Sequence, residues 1–470
     1  MRGVPSLISD IRKKVFTEVA RMAYNGDDYT KAEDLPFLIV PGDQPLHRES
    51  IFLERAIAGE RVRLAMGLSV RSVQTRSLMT EGMDHAAIAK QYYEPPLINI
   101  IPYACHACPA NRYWVTDVCQ NCLSASCQQV CPREAIKFVN GKSRIDPAKC
   151  IRCGKCAQAC AYHAIVHLER PCQAACGMDA IVSDEHGRAK IDQNKCVACG
   201  QCLVSCPFGA IVDKGQIYQV VRSIMEGDKV IAIMAPAFAR QFGKDVTAAK
   251  LSSALRALGF ADVVEVAIGA DICAVEEAKD FLEKVPAKQP FMATSCCPAW
   301  HAMVHKLFPA QAKNISMTLT PMVYTARMVK REQPDARIVF VGPCAAKKLE
   351  AIREDIRSDV DFVLTFEEMA GVFDAKHVDL ETIEEDPNGV NDASTDGRNF
   401  AVAGGVAGAI EACLKEYYPD VPVHIEHAES LAECKKMLTL AKVGKLNGCM
   451  IEGMACPGGC MGGAAQSDRL

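Results

Sequence analysis

Apolar and charged positions divide the chain into three textures. In "PSLISDIRKKVFTEVARMAY" (residues 5–24) and "RESIFLERAIAGERVRLAMGL" (48–68), apolar residues recur at helical spacing among dense charge pairs, as in amphipathic helices. A helical N-terminal segment is therefore expected over residues 1–95, by default a packing or docking element. "YYEPPLINIIPY" (92–103) leads out of it as an extended, proline-marked stretch. From about residue 225, short β-rich runs alternate with helix-like stretches or Gly/Pro breaks: "KVIAIMAP", "FMATSC", "RIVFVGPC", "VDFVLT" and "NFAVAGG". That alternation predicts an α/β domain over 221–470. Residues 96–220, between the two, are organised by cysteine spacing instead.

Length and charge narrow the classes. A chain of 470 residues is too long for one ordinary core. A net charge of -4 gives no electrostatic case for nucleic acid or an anionic membrane. The longest apolar runs, such as "VIAIMAPAFA", fall short of the roughly 18 residues a membrane span needs. The opening "MRGVPSLISDIRKKVF" lacks an apolar core and a twin arginine, so no export signal is read and a cytoplasmic location is expected.

The outlier is 25 cysteines, sixteen of them between Cys105 and Cys206. A disulfide scaffold would be short and secreted, whereas in a reducing compartment such a count points to metal. The cysteines come in repeated units. "CQNCLSASCQQVCPREAI" is C-x2-C-x4-C-x3-C-P, "CIRCGKCAQACAYHAI" is C-x2-C-x2-C-x3-C, and "CVACGQCLVSCPFGAI" is C-x2-C-x2-C-x3-C-P. "CQAACGMDAI" carries only the last half, with the same small-residue-Ile ending.

These units match the bacterial [4Fe–4S] ferredoxin run, in which three close thiolates wrap one cubane and the fourth reaches the neighbouring one. Crossed over in that way, Cys119, Cys122, Cys127 and Cys160 hold one cluster, and Cys150, Cys153, Cys156 and Cys131 its partner. Cys196, Cys199 and Cys202 with Cys176 make a third. Cys105, Cys108, Cys172 and Cys206 make a fourth if "CHAC" supplies the missing first half; otherwise Cys105 and Cys108 are spare thiols or a separate site. Four accessory clusters are expected, and at least two. Zinc, which favours isolated C-x2-C pairs and often histidine, is the alternative. A row of clusters moves single electrons.

Three further motifs lie in the α/β part, at or just after predicted strand ends, where such folds place their sites: "TSCCPAW" (294–300), "GPCAAKKLE" (342–350) and "EGMACPGGC" (452–460). Together, in this order, they resemble the three signatures of the [FeFe] hydrogenase catalytic domain, a resemblance covering roughly residues 96–470. It implies an α/β catalytic domain of two lobes, each a small mixed sheet flanked by helices, preceded by an α+β ferredoxin-like module (96–220) and the helical segment (1–95). It also implies an H-cluster, a [4Fe–4S] cubane bridged to a diiron subsite with CO, CN and dithiolate ligands. By motif position the ligands are Cys297, Cys344, Cys456 and Cys460, with Cys460 bridging. Thiolates are the soft ligands such iron requires, and the glycines beside Cys460 leave room.

The resemblance further implies a proton relay of Cys296, Glu277, Ser316 and Asp280, the last standing where a glutamate is expected. Lys347 matches a lysine that hydrogen-bonds a cyanide ligand. Met454, Pro236 and Phe400 align with pocket-lining positions, although a methionine there could equally be core filler. Gly342, Ala237 and Met322 depart from the usual residues, as does "GGAAQS" after Cys460, and a looser, less hydrogen-bonded pocket is expected. The implied activity is 2H⁺ + 2e⁻ ⇌ H₂, with ferredoxin or flavodoxin as electron partner and separate maturation proteins installing the diiron subsite. The rivals are a slow-turnover H₂ sensor, for which no signalling domain is read, and an iron–sulfur electron-transfer or assembly protein lacking the diiron site. The latter would lose Cys296 and the "PCAAKK" signature, and both stand here.

Overall fold

The structure, a computed structural model, describes residues 6–86, 93–109, 111–354, 356–357, 359–389, 393–420 and 423–466. Residues 1–5, the start of the stretch read for an export signal, Tyr92 of the proline-marked stretch and Ser467 of "GGAAQS" lie outside them.

The N-terminal helices form where their caps and spacing put them. In α1 (Leu7–Tyr24) the Ser6 hydroxyl accepts from the Ser9 amide at 3.2 Å. In α2 (Ile51–Ala65) Ser50 accepts from Phe52 at 3.1 Å. Such caps satisfy amides that a helix start leaves unpaired. The cysteine-rich region is built from short antiparallel pairs, and β1 (Ile98–Ile100) pairs with β2 (Ile211–Asp213) to bring its two ends together.

The α/β part holds two sheets. The first has the order β4 (Asp262–Glu265), β3 (Val230–Met234), β6 (Arg337–Gly342), β7 (Phe362–Thr365). Val341 pairs with both Met234 and Leu364. The second has the order β5 (Met292–Ala293), β9 (Cys449–Met454), β8 (His424–Glu429). Every described pairing in both is parallel, which corrects the expectation of mixed sheets. The physical reason is the connections: a parallel return needs a crossover, and helices occupy those crossovers. They include α3 (Ala248–Ala257), α4 (Val266–Lys284), α5 (Pro298–Leu307), α6 (Pro321–Glu332), α7 (Ala346–Ala351), α8 (Phe366–Ala375), α9 (Gly405–Tyr417) and α10 (Leu431–Lys442). All of β3 is buried, as a parallel strand covered on both faces must be.

Two strand expectations change. "FMATSC" is a strand only at Met292–Ala293; the chain then leaves the sheet to carry two cysteines to the start of α5. "NFAVAGG" is no strand. It is the end of a short helix (Thr395–Asn399) and a turn into α9. The Glu452 carboxylate accepts from the amides of Gly404 (2.9 Å) and Ala407 (2.8 Å), so those groups are satisfied without a ladder.

The N-terminal helices are fastened to the α/β part. Gly371 of α8 has no Cβ because one would lie 2.5 Å from Phe16 Cβ of α1. Arg12 pairs with Glu367 at 2.6 Å, and Lys13 with Asp374 at 2.6 Å. Beneath them Lys348 of α7, fully buried, donates to Asp213 at 2.7 Å and Glu368 at 2.9 Å. One buried charge network thus ties β2, α7 and α8, and Arg12 joins it through Asp213 at 3.4 Å. Among the described residues no helix is long and apolar enough to cross a membrane.

Candidate metal centre

Cys297 is the residue before α5, Cys344 stands between β6 and α7, and Cys456 follows β9. Cys460 sits in the 3-10 turn Gly459–Gly462. Three strand ends thus deliver four thiols to one place. They line a cavity of about 90 Å³ together with Cys296, Lys347, Pro236, Phe400 and Met454. Its walls are otherwise apolar, including Val266, Ala270 and Phe340. The backbone had to be glycine at two points. A Cβ on Gly459 would lie 2.5 Å from the Ala403 amide nitrogen, and one on Gly453 would lie 2.3 Å from the Trp300 ring.

Burial pushes these thiols up, Cys344 to about 11 and Cys460 to about 12, and Cys297, Cys344, Cys456 and Cys460 add to one another's burden. Four thiols that burial keeps from ionising, in an apolar cavity, suit a soft, positively charged metal group. The residues present therefore fit a cubane. Among the described residues no three His, Cys, Asp or Glu side chains close round a single metal ion; a cubane's thiolates spread over four irons instead.

Lys347 donates to Glu350 Oε2 at 2.6 Å and reaches the Cys296 carbonyl at 3.3 Å and Thr320 Oγ1 at 3.4 Å. Thr320 in turn donates to the other Glu350 oxygen at 2.5 Å. Burial works against the Lys347 ammonium, but Glu350 outweighs it and holds its pKa above the usual lysine value. Glu350 was not singled out in the sequence, although an acid three residues after Lys347 on a short helix was a visible signal.

Glu277 lies on α4 and is wholly buried. Burial pushes its pKa up to about 8, against a lowering by the Ser316 side chain and the Ser295 backbone, with Asp280 and Glu452 adding to the rise. Ser316 and Ser295 face the carboxyl, yet neither oxygen closes a full hydrogen bond. The Cys296 thiol is raised by burial and then by Glu277. Asp280, one turn along α4, is partly exposed and paired to Lys284 at 2.6 Å. Of the four expected relay residues, Cys296 lines the cavity, Glu277 and Ser316 are buried, and Asp280 is partly exposed.

The departures have structural partners. A Cβ on Gly342 would lie 2.6 Å from the Phe340 ring, and that ring lines the cavity where a methionine was expected. Ala237 and Met322 line it too. The looser pocket expected from sequence is, at Gly342, closed by Phe340.

The accessory cysteines share a backbone signature. In each C-x2-C the residue before the second cysteine is left-handed: Asn121 (φ 50°), Arg152 (φ 59°) and Ala198 (φ 53°). In "CHAC" Ala107 has φ 46°. Left-handed non-glycine residues cost about 1 kcal/mol each, so their recurrence marks a built turn. The unit tails also repeat. Glu134, His163 and Asp179 have φ near 50°, which turns the next amide back onto Cys131, Cys160 and Cys176 at 3.3 Å.

Cys105, Cys108, Cys172 and Cys206 line one small cavity beside Arg170. Cys202 feels Cys199, Cys196, Cys176 and then Cys172, and Cys199 feels Cys297. The third set therefore lies between the fourth and the main cavity. Gln201 completes the link by donating to Cys456 Sγ at 3.2 Å. Cys127 and Cys156 share a small core with Cys131 and Cys160, and Cys156 feels Cys150 and Cys131. Cys119 is near Ser143, Cys122 accepts from Ser124 at 3.5 Å, and Cys153 is exposed. All 25 cysteines are unbridged thiols.

Comparison with known proteins agrees with this layout. The family described as iron only hydrogenase large subunit, C-terminal domain, matches residues 228–464. A 4Fe-4S dicluster domain matches 112–161, and a 4Fe-4S binding domain matches 188–211. Iron hydrogenase 1 of Clostridium pasteurianum is 31% identical over 393 residues, 71% of this chain and 67% of that protein. The periplasmic [Fe] hydrogenase large subunit of Nitratidesulfovibrio vulgaris is 30% identical over 382 residues, 69% of this chain and 86% of that protein. At 26% over 293 residues, the nuclear prelamin A recognition factor of Danio rerio covers 50% of this chain and 62% of its own length. With ferredoxin-like 4Fe-4S domains leading to a four-thiol cavity at three strand ends, the chain belongs to the iron-only hydrogenase family.

Proposed function

We propose that this chain is an [FeFe] hydrogenase catalysing 2H⁺ + 2e⁻ ⇌ H₂ in the cytoplasm. The observation that carries the reading is the convergence of four cysteines, Cys296 and Lys347 on one apolar cavity. In this reading Cys297, Cys344, Cys456 and Cys460 hold the H-cluster, with Cys460 as the bridging thiolate. When bound, that group supplies the iron at which protons and electrons combine.

The chain's own residues do the rest. Lys347, kept charged by Glu350, presents an ammonium at the cavity wall, a second partner that orients the group. Pro236, Phe400, Met454 and Phe340 exclude water. Cys296 passes protons between the cavity and Glu277, whose pKa of about 8 lets it give and take a proton near neutrality. Ser316 and Asp280 continue that path toward solvent. The two parallel sheets are read as the cores of the two lobes.

Four accessory clusters on the cysteine sets named above would carry electrons, the third and fourth nearest the cavity. Residues 112–169 hold eight Lys or Arg against four Asp or Glu on a chain of net charge -4. That local excess suits an acidic one-electron carrier such as ferredoxin or flavodoxin. Maturation proteins supplying the diiron subsite belong to the same reading, as does the division into a helical segment, a ferredoxin-like module and a catalytic domain at 1–95, 96–220 and 221–470.

The test is H₂ production from reduced methyl viologen by anaerobically matured protein, measured by gas chromatography. Wild type is expected to evolve H₂ and C296A to lose nearly all of it while keeping its iron. Matured wild type with full iron and no H₂ in either direction would favour a non-catalytic role.

A further inference from the structure

Helix α2 of the N-terminal segment lies over the fourth cysteine set. Ile57 and Leu64 pack with Ile101, Ala104, Ala210 and Val212, and Cys105 and Cys206 lie against that core. Through it α2 brings in Arg61, only 6% exposed, whose Nη2 donates to the Gly209 carbonyl at 3.0 Å. Its Nε is buried with no hydrogen-bond partner. The approach is close. A Cβ on Gly209 would lie 2.9 Å from both Arg61 Nη2 and Ile8 Cγ2 of α1. At the matching tail position the other units carry Glu134, His163 and Asp179; here only glycine leaves room for the arginine.

A second guanidinium comes from the loop before α2. Arg48 donates to the Phe208 carbonyl at 2.9 Å and meets His106 Nε2 at 2.6 Å, and His106 stacks on Phe208 with ring centres 4.1 Å apart. The loop is held by the Glu54 carboxylate, which accepts from the amides of Leu46 (3.1 Å) and Arg48 (2.6 Å) and from that of His47. Arg170 lines the small cavity itself, donating to the Cys108 carbonyl at 3.1 Å. Among the described residues none of the three arginines is ion-paired. Their partners are carbonyls and one imidazole, which leave their charge in place.

Arg61 is pushed down to about 10 by burial, then by Arg12 and Arg48, while Cys206 draws it up. A buried cation whose Nε has no partner, packed against the core that carries Cys105 and Cys206, asks for an anion at the cysteines. A four-thiolate cubane is one, and it gains a further negative charge when reduced.

We propose that the N-terminal segment is an electrostatic cap: Arg48 and Arg61 hold positive charge against a [4Fe–4S] cluster on Cys105, Cys108, Cys172 and Cys206 and raise its reduction potential. This rests on the reading of those cysteines as a cluster site. Covering a cluster lowers its potential by excluding water, and unpaired cations in the same low dielectric act the other way. At Arg61 the charge is buried and escapes the screening that weakens surface charge. Since H₂ chemistry takes two electrons and carriers deliver one, a raised potential gives the first electron a place to wait beside the third set.

The experiment is an EPR-monitored potentiometric titration of full-length, cluster-loaded protein, with dithionite as one-electron reductant, alongside an iron count. The C105A/C108A variant identifies the cluster by the iron and the EPR component it loses. R61M is expected to shift that component's midpoint to lower potential, R61K to restore most of it, and R48M to give a smaller shift of the same sign. If C105A/C108A keeps full iron and every component, the cluster assignment fails and the cap with it. If the component is present but R61M and R48M leave its midpoint unmoved, or R61K moves it as far as R61M, the cap is overturned while the cluster stands.

Discussion

Lys347 Nζ lies 2.6 Å from Glu350 Oε2, and both side chains are buried beside the four-thiol cavity. The pair explains how an ammonium can sit in an apolar wall: the acid three residues on supplies the charge that burial removes. Removing one partner of a buried pair strands the other. E350Q should therefore lower H₂ turnover about 10–100-fold, the usual effect of losing a group that orients a metal-site residue. The check is turnover per bound H-cluster, with iron content showing whether the cavity still loads.

Glu277 sets the expected pH dependence. Folded, it keeps its proton to about pH 8, whereas its ordinary value is 4.5. Between those values the native state binds more protons than the unfolded one, so this group makes stability fall as pH rises, levelling above about 8. E277Q should flatten that slope in denaturation measured across the window. The same substitution cannot pass a proton and should slow turnover about 10²–10⁴-fold. In wild type H₂ evolution should decline as pH rises through about 8, when the protonated carboxyl is lost.

Lys348 is neighbour to Lys347 and does a different task. It is fully buried between Asp213 and Glu368, so K348M strands the Glu368 carboxylate and leaves Asp213 only Arg12 at 3.4 Å. A loss of about 3–5 kcal/mol is expected, read as a lower denaturation midpoint of the whole chain. Exposed Lys279 with Glu276 is the control, and K279M should leave the midpoint essentially where it is.

Gln201 should tune the main cubane through its bond to Cys456 Sγ. A donor to a ligand sulfur stabilises the reduced cluster. Q201L should lower the midpoint of that cubane in an EPR titration, and an unchanged value would remove Gln201 from the electron path.

What could be read in the sequence was what lies close in the chain. The C-x2-C units, the three strand-end motifs and the capped helices are local patterns, and the structure gathers Cys297, Cys344, Cys456 and Cys460 round one cavity and Cys105, Cys108, Cys172 and Cys206 round another. "NFAVAGG" misled because its apolar run reads as a strand, while most of its amides bond within the turn and that of Gly404 bonds Glu452, 48 residues away. The mixed sheets failed for a related reason, since strand direction is set by how the crossovers pack. Strand β8 reads "HIEHAE" and buries only one of its six residues, so no apolar pattern marked it. Gln201 with Cys456, Lys348 with Asp213 and Arg61 with Gly209 are separated by 255, 135 and 148 residues. No spacing rule reaches that far, and such pairs become visible only once the chain is folded.

The most direct test of the central claim is an anaerobic infrared spectrum of the protein after maturation with its diiron subcofactor. An H-cluster on the four thiols gives CO and CN⁻ stretches of ligands bound to iron, lost in a variant lacking Cys460. Fully loaded cubanes with no such bands would contradict it, and the four-thiol cavity would then hold a cubane alone.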